Sequence, residues 1–191
     1  MTLSCPLLLG TCMLTTRPLS GEDAQTISAA FRSMGWTKPV GLYQRYLHEA
    51  TMGRRWIRVA SIDRAFAGYV TVITESGYEP FRTAGIPEIQ DLNVLPAYRR
   101  RGIAGRLLDE CEAWIAERSE MAGIGVGLHP GYNAAQRLYV RRGYVPDGRG
   151  VTSHGRYVKE GELIAFDDGL VLWLAKPLGG GTPRPGEAAS A

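Results

Sequence analysis

Apolar and polar positions along this chain follow two rhythms. Short stretches alternate or run apolar at residues 14–18, 55–62, 65–74 and 86–94, which predicts strands. Residues 55–62 and 65–74 flank Asp63-Arg64 closely enough to pair as a hairpin. A helical rhythm takes over at 103–117, where Ile103, Leu107, Leu108, Cys111 and Ile115 share one face. A helix over 23–33 has Ser20 and Asp23 available for its N-terminal cap, and another over 40–51 has Leu42, Tyr46 and Leu47 on one side. Residues 123–128 read as a buried strand that His129-Pro130-Gly131 breaks. Residues 133–142 read as a short helix that Gly143 stops, and Tyr144-Val145 begins another strand. Residues 76–87 read as a loop, 151–168 as polar and irregular with a short hairpin, and 170–175 as a final apolar strand. This alternation implies an α/β fold: a mixed, mostly antiparallel central sheet flanked by helices on both faces. Crossover helices at 103–117 and 133–142 would make part of the sheet parallel.

Composition narrows the class. With 191 residues and 45% hydrophobic content, the chain can bury one good core. A net charge of +3 is too small to demand nucleic acid as partner. Cys5, Cys12 and Cys111 are odd in number and lack C-x-x-C spacing, which argues against a disulfide framework or zinc site and fits a reducing cytoplasm. His48 and His154 have no ligand-spaced partners, His129 at its Pro-Gly turn reads as structural, and no metal is expected. No stretch approaches the ~20 apolar residues of a membrane helix. Residues 1–12 lack a positive start and read as a disordered leader, with Met13 a candidate natural start; residues 13–178 read as one domain and 179–191 as a flexible Gly/Pro-rich tail.

The densest chemical signal lies at residues 94–108, VLPAYRRRGIAGRLL. A strand leads through a proline into three arginines, and the amphipathic helix follows at once. A helix start leaves backbone N–H groups without partners and carries partial positive charge. Gly102, with small residues at Ala104 and Gly105, lets a ligand approach that backbone. This is a recipe for holding a phosphate or diphosphate. The nucleotide patterns G-x-x-x-x-G-K-[ST] and G-x-G-x-x-G are both absent. Arg99, Gly102 and Ala104 instead spell R-x-x-G-x-A, and Ala135, Leu138, Tyr139, Gly143 and Tyr144 spell A-x-x-L-Y-x-x-x-G-Y downstream. In pattern, order and spacing the two segments resemble the GNAT acyltransferase superfamily, whose acetyl-CoA turn reads [QR]-x-x-G-x-[GA]. The resemblance covers roughly residues 13–177, with the motifs at about 88–145.

That resemblance implies acetyl-CoA as cofactor and transfer of its acetyl group to a primary amine by direct attack in a ternary complex. It implies that the backbone of Arg101, Gly102, Ile103, Ala104, Gly105 and Arg106 anchors the diphosphate, with Arg99, Arg100 and Arg101 available to outer phosphates. It also implies a strand splayed from its neighbour, freeing an amide at Leu92 or Asn93 for the acetyl oxygen and Val94 for a pantetheine amide. Tyr139 would be the general acid, since a phenol of pKa about 10 can protonate a departing thiolate without ionising at neutral pH. Many members carry an asparagine seven residues before that tyrosine; here Tyr132 stands there, and Asn133, one residue late, suits either a pantetheine contact or the helix cap. A lysine-like amine costs roughly 4–5 kcal/mol to be neutral at pH 7, so a base is required. Glu88 lies eleven residues before Arg99, where some protein-acetylating members carry a glutamate base. In a regular strand it shares a face with Gln90 and Leu92, about 13 Å from the latter, and would act through water. Asp91 is nearer but points to the other face of a regular strand.

The acceptor is not written in these motifs. Lys38, Arg45, Glu75, Glu79 and Arg82 mix signs, and no acidic run announces a polycation. Trp36, Tyr43 and Tyr46, with the 76–87 loop, are candidates to line a cleft or simply to pack the core. A small amine or amino-acid derivative is the first reading, and a protein N-terminal or lysine amine the second. The rival classes are a CoA-binding module without turnover and a basic nucleic-acid-binding domain, the latter unsupported by aromatic interleaving or a basic helix. Neither nucleic acid nor membrane is an expected partner, and a homodimer stays open.

Overall fold

A computed structural model describes residues 13–179; the 1–12 leader with Cys5 and Cys12, and the tail beyond Gly179, lie outside the described residues. In chain order the elements are β1 (Leu14–Pro18), α1 (Asp23–Arg32), α2 (Val40–Thr51), β2 (Arg55–Ile62), β3 (Ala65–Ile73), α3 (Glu79–Thr83), β4 (Glu88–Val94), α4 (Ile103–Ala116), β5 (Met121–Gly127), α5 (Asn133–Arg141), β6 (Val145–Ser153), β7 (Arg156–Tyr157) and β8 (Leu170–Pro177). One sheet takes the order β1-β2-β3-β4-β5-β8-β6-β7, and among the described residues only β4 and β5 pair parallel. The β2–β3 hairpin turns through Asp63 and Arg64, both with positive φ (48° and 70°), which matches the right-handed twist of the strands.

Alternation along the strands separates two cores. Ala60, Ile62, Val70, Val72, Ile89 and Ile124 pack with Ile103, Leu107, Leu108, Cys111 and Ile115 of α4. Ile57, Val59 and Tyr69 face the other way, onto Ile27 and Phe31 of α1 and Tyr43 and Tyr46 of α2. The α4 stripe is thus the one its sequence periodicity predicts. The α2 stripe is different: Tyr43 and Tyr46 are buried while Leu42 and Leu47 are only partly so.

The elements depart from the sequence pattern in three further places. Residues 76–87 are not wholly loop: Pro80 starts the short α3, which presses the Phe81 ring onto the backbone of Gly123. The α5 crossover returns the chain to β6, but β8 inserts between β5 and β6 and pairs antiparallel with both. The polar stretch after Tyr144 holds a long bulged strand, β6, whose residues Val151–Ser153 pair with β8. At α1, the Asp23 carboxylate accepts from the Ser20 N–H (2.7 Å) and hydroxyl (2.9 Å), so this pair does fasten the helix entrance.

Candidate active site

Gly102 adopts φ +78°, a conformation costly for any residue with a Cβ, and turns the chain from β4 into α4. The first full helical turn closes with the Arg106 N–H on the Gly102 carbonyl (3.0 Å). The N–H groups of Ile103, Ala104 and Gly105 therefore precede any intrahelical partner. A Cβ built on Gly102 or Gly105 would meet nothing within 4 Å, so open space adjoins this backbone. Arg99, Arg100 and Arg101 are exposed and form no ion pair among the described residues; Arg106 pairs with Glu110 (2.9 Å). Arg99 Nε donates to the Val94 carbonyl (3.3 Å), tying the turn to the end of β4. Open amides, a helix dipole and unpaired guanidinium groups suit a diphosphate carrying further phosphate.

Beside this turn the sheet opens. β4 and β5 pair only at Glu88–Gly123 and Ile89–Ile124. Beyond that vertex β4 continues with β3 and β5 continues with β8, so residues 90–94 have no ladder partner on the β5 side. Leu92, Asn93 and Val94 all lie on this unpaired stretch. At the far end of β5, Gln136 Nε2 donates to the Gly127 carbonyl (2.8 Å), a role its sequence position did not suggest.

A bulge in β4 rearranges its faces. Tyr69 lies opposite Asn93 but Thr71 opposite Gln90, so Asp91 and Leu92 together oppose Val70. Asp91 takes φ +55°, uncommon for a residue other than glycine. The regular-strand expectation fails here: Asp91 joins Gln90 on the α1–α2 face, while Leu92 packs against the α4 core. Glu88 and Leu92 therefore do not share a face.

The Asp91 carboxylate is saturated with donors. Lys38 Nζ (2.5 Å) and Asn93 Nδ2 (3.0 Å) donate to Oδ1; the Tyr69 (2.6 Å) and Tyr46 (2.9 Å) hydroxyls donate to Oδ2. Burial alone would push this carboxyl up, but the Lys38 charge and the bonds from Lys38, Tyr69 and Tyr46 outweigh it and hold it below the usual carboxylate range. Glu88 lies at the vertex of the splay, 4% exposed, accepting from Ser76 Oγ (2.5 Å) and Gln90 Nε2 (2.8 Å). Desolvation prevails there and raises its proton affinity, against the hydrogen bonds of Ser76 and Gln90 and the charge of Arg55.

Tyr139 on α5 is buried in the α4 core, its ring 6.1 Å from that of Tyr144. Burial raises its proton affinity, and it lies within electrostatic reach of Tyr132. The Tyr132 ring covers Gly127, where an added Cβ would approach it to 2.4 Å, and it also feels the charge of Asp91. Asn133 is the first residue of α5, exposed and αR, so it is not the helix cap. The position before α5 is Tyr132, which makes no side-chain cap bond; His129 instead caps the 3-10 turn Pro130–Tyr132 that leads into the helix, its Nδ1 accepting from the Gly131 N–H (3.1 Å) while Nε2 faces Asp168 Oδ1 (2.7 Å). Asp168 also accepts from the Tyr132 hydroxyl (3.2 Å). Trp36 is exposed on one side and stacked on Phe31 (5.7 Å), whereas Tyr43 is fully buried. No group of three or more metal-ligating side chains occurs among the described residues, nor any helix long and apolar enough to cross a membrane.

Known proteins share this architecture. The N-acetyltransferase from Staphylococcus aureus Mu50 superposes with a TM-score of 0.66 at 16% identity, over 87% of this chain and 99% of its own. A GNAT-family acetyltransferase from Streptococcus pneumoniae gives 0.62 at 20% identity, over 86% and 99%. NAA60 from Arabidopsis thaliana, solved in complex with acetyl-CoA, gives 0.64 at 19% identity, over 86% and 98%. At these identities the structures establish the fold alone. No curated protein sequence matches the chain significantly. The family model for the Acetyltransferase (GNAT) family matches residues 23–144, from the first helix to the tyrosine after α5. That match takes in more than half of the sequence, and the chain belongs to the GNAT acetyltransferase family.

Proposed function

We propose that this protein transfers the acetyl group of acetyl-CoA to a primary amine, by direct attack within a ternary complex. The observation that carries the reading is the opening between β4 and β5 beside the Gly102 turn. An anion site and a row of unpaired strand amides lie next to each other there, as a diphosphate joined to an extended amide-bearing arm requires.

The bound cofactor supplies an activated acetyl group as a thioester. The protein's share begins with anchoring: the backbone from Arg101 to Arg106 holds the diphosphate, and the Arg99, Arg100 and Arg101 side chains take outer phosphates. The β4 edge would receive the arm through Asn93 and Val94, and the Leu92 amide would polarise the acetyl carbonyl. Tyr139 would protonate the leaving sulfur; burial keeps its hydroxyl protonated throughout the neutral range, so the proton is there to give. Glu88 takes the amine's proton by way of water, supported by the rise that desolvation gives its carboxyl. Asp91 is less suited to that task, since four donors already occupy its oxygens. Asn133 is in position to touch the cofactor only from the exposed start of α5.

A small amine or amino-acid derivative is our first reading of the acceptor, with a protein N-terminal or lysine amine second. We assign the domain to residues 13–178, because β6, β7 and β8 complete the sheet after the family match ends. The buried free thiol of Cys111 supports a cytoplasmic setting. Calorimetric titration with acetyl-CoA, with desulfo-CoA and ATP as controls, tests the cofactor. Micromolar CoA-selective binding, followed by thiol release with a panel of amines, is the expected result. Absence of binding to folded protein overturns the reading, and binding without turnover on any amine points to a non-catalytic CoA module.

A further inference from the structure

The structure already holds a primary ammonium group beside the opening in the sheet. Lys38 reaches in from the segment joining α1 and α2 and places Nζ against Asp91 Oδ1 (2.5 Å) and the Tyr69 hydroxyl (3.0 Å). The same Nζ lies 5.5 Å from the ring centroids of both Phe31 and Tyr69. Carboxylate, phenol oxygen and aromatic faces are the partners that recognise an alkylammonium ion. The walls are rigid: Phe31 and Tyr69 are fully buried, and Tyr46 and Tyr69 fix the far carboxylate oxygen. The occupant is a single long side chain from a connecting segment, and the pair is open enough to touch water (18% and 21% side-chain exposure).

Asp91 also stands one residue before Leu92, on the β4 stretch that β5 leaves unpaired, and on the face opposite Tyr139 and α4. We propose that the cage formed by Asp91, Tyr46, Tyr69 and Phe31 is the acceptor subsite, that it takes a primary alkylammonium ion, and that Lys38 fills it until the acceptor displaces it. The proposal rests on the acetyltransferase reading above and adds the substrate class: an aliphatic amine that is cationic when it docks. A neutral aromatic amine lacks the charge this cage selects. Docking exchanges one ammonium for another, so the cage keeps its net charge and no bond is made or broken in that step. The strained φ of Asp91 is part of the device, because it turns the carboxylate toward α1 and α2, away from the α4 core.

Chemical rescue tests this without relying on turnover. Lys38→Ala leaves Asp91 without its cation, so the melting temperature should fall. Millimolar n-butylammonium should restore it, whereas 1-butanol should not. The wild type should respond weakly, because its own lysine competes, and the Lys38→Ala/Asp91→Asn double variant should not respond. Asparagine is chosen because it tolerates a left-handed backbone. Should Lys38→Ala fail to fold, Lys38→Met keeps the stem and serves in its place. In the acetylation assay, Asp91→Asn should raise KM for alkylamines about 10–100-fold, the size of one charge-assisted hydrogen bond, without weakening acetyl-CoA binding. Equal n-butylammonium responses in all three proteins, or an unchanged alkylamine KM in Asp91→Asn, would overturn the proposal. Acetyl-CoA titration of the same proteins reports separately on the acetyltransferase reading, so either can fail alone.

Discussion

Two carboxylates three residues apart on β4 show how strongly a side chain's chemistry depends on what surrounds it. Glu88 is buried with neutral partners and its proton affinity rises; Asp91 meets a lysine and its proton affinity falls. Their contributions to stability therefore run in opposite directions with pH. A carboxyl raised by folding favours the native state at low pH, so wild type should lose stability relative to Glu88→Gln as pH climbs above about 4.3. A carboxyl lowered by folding favours the native state at higher pH. The advantage of wild type over Asp91→Asn should thus be full above about 3.9 and vanish as pH falls below it. Denaturant titrations of the three proteins across the acid range check both slopes, and parallel curves would contradict the assigned environments. For Tyr139→Phe, acetyl-CoA affinity should persist while kcat drops roughly 10²-fold. Unchanged transfer under chemistry-limited conditions would remove Tyr139 from the acid role. The sequence pointed to Tyr139 because it stands in the A-x-x-L-Y-x-x-x-G-Y segment that carries the family resemblance. Nothing in it indicated Tyr69 or the saturation of Asp91, since those bonds join residues 22 to 53 positions apart.

Among elements, the joint between β4 and α4 concentrates the geometry. Gly102→Ala forces a Cβ into a left-handed conformation at a cost of about 1–2 kcal/mol. The folded protein should also bind acetyl-CoA more weakly, because the turn relaxes away from φ +78° and moves the first helical amides. Calorimetry paired with thermal melts separates the two effects. Gly68 on β3 is the strand-side counterpart: a Cβ there would fall 2.4 Å from the Asn93 carbonyl oxygen and 3.1 Å from Val94 Cα. Gly68→Ala should cost about 1–3 kcal/mol as the two strands part. Impaired cofactor binding should accompany it, since the displaced backbone belongs to the β4 edge. A melt indistinguishable from wild type would mean that the close approach is easily relieved. The bulge in β4 was not legible beforehand. An extra residue in β4 leaves the apolar pattern EIQDLNV unchanged, and only pairing with β3 reveals that Asp91 and Leu92 oppose a single residue.

For the molecule as a whole, the sheet's second half is joined to the first by charge as well as by apolar packing. Arg142, after α5, donates to Glu112 (2.9 Å) and Asp109 (2.7 Å) of α4, while Lys176 of β8 reaches the same Glu112 (2.7 Å). Arg142 and Glu112 are largely shielded from solvent, and without Arg142 the Glu112 carboxylate keeps only Lys176. Arg142→Met should lower unfolding stability by about 1–2 kcal/mol, read by denaturant titration, with acetyl-CoA affinity retained. A loss below about 0.5 kcal/mol would place the pair among ordinary surface contacts. What the sequence determined by itself was local: the α4 stripe, the Asp63-Arg64 hairpin, the Gly102 turn and the Gly143 stop all follow from short-range sterics and periodicity, and the family resemblance followed from two such segments. Tertiary structure decided everything that depends on how distant segments meet. The insertion of β8 between β5 and β6, the parting of β4 from β5 after two paired residues, and the capture of Lys38 by Asp91 are set by pairing and packing across the chain. Backbone preference and hydrophobic rhythm act over a few residues, so they specify the elements; the site arises where those elements are brought together, and its chemistry is written in the contacts between them.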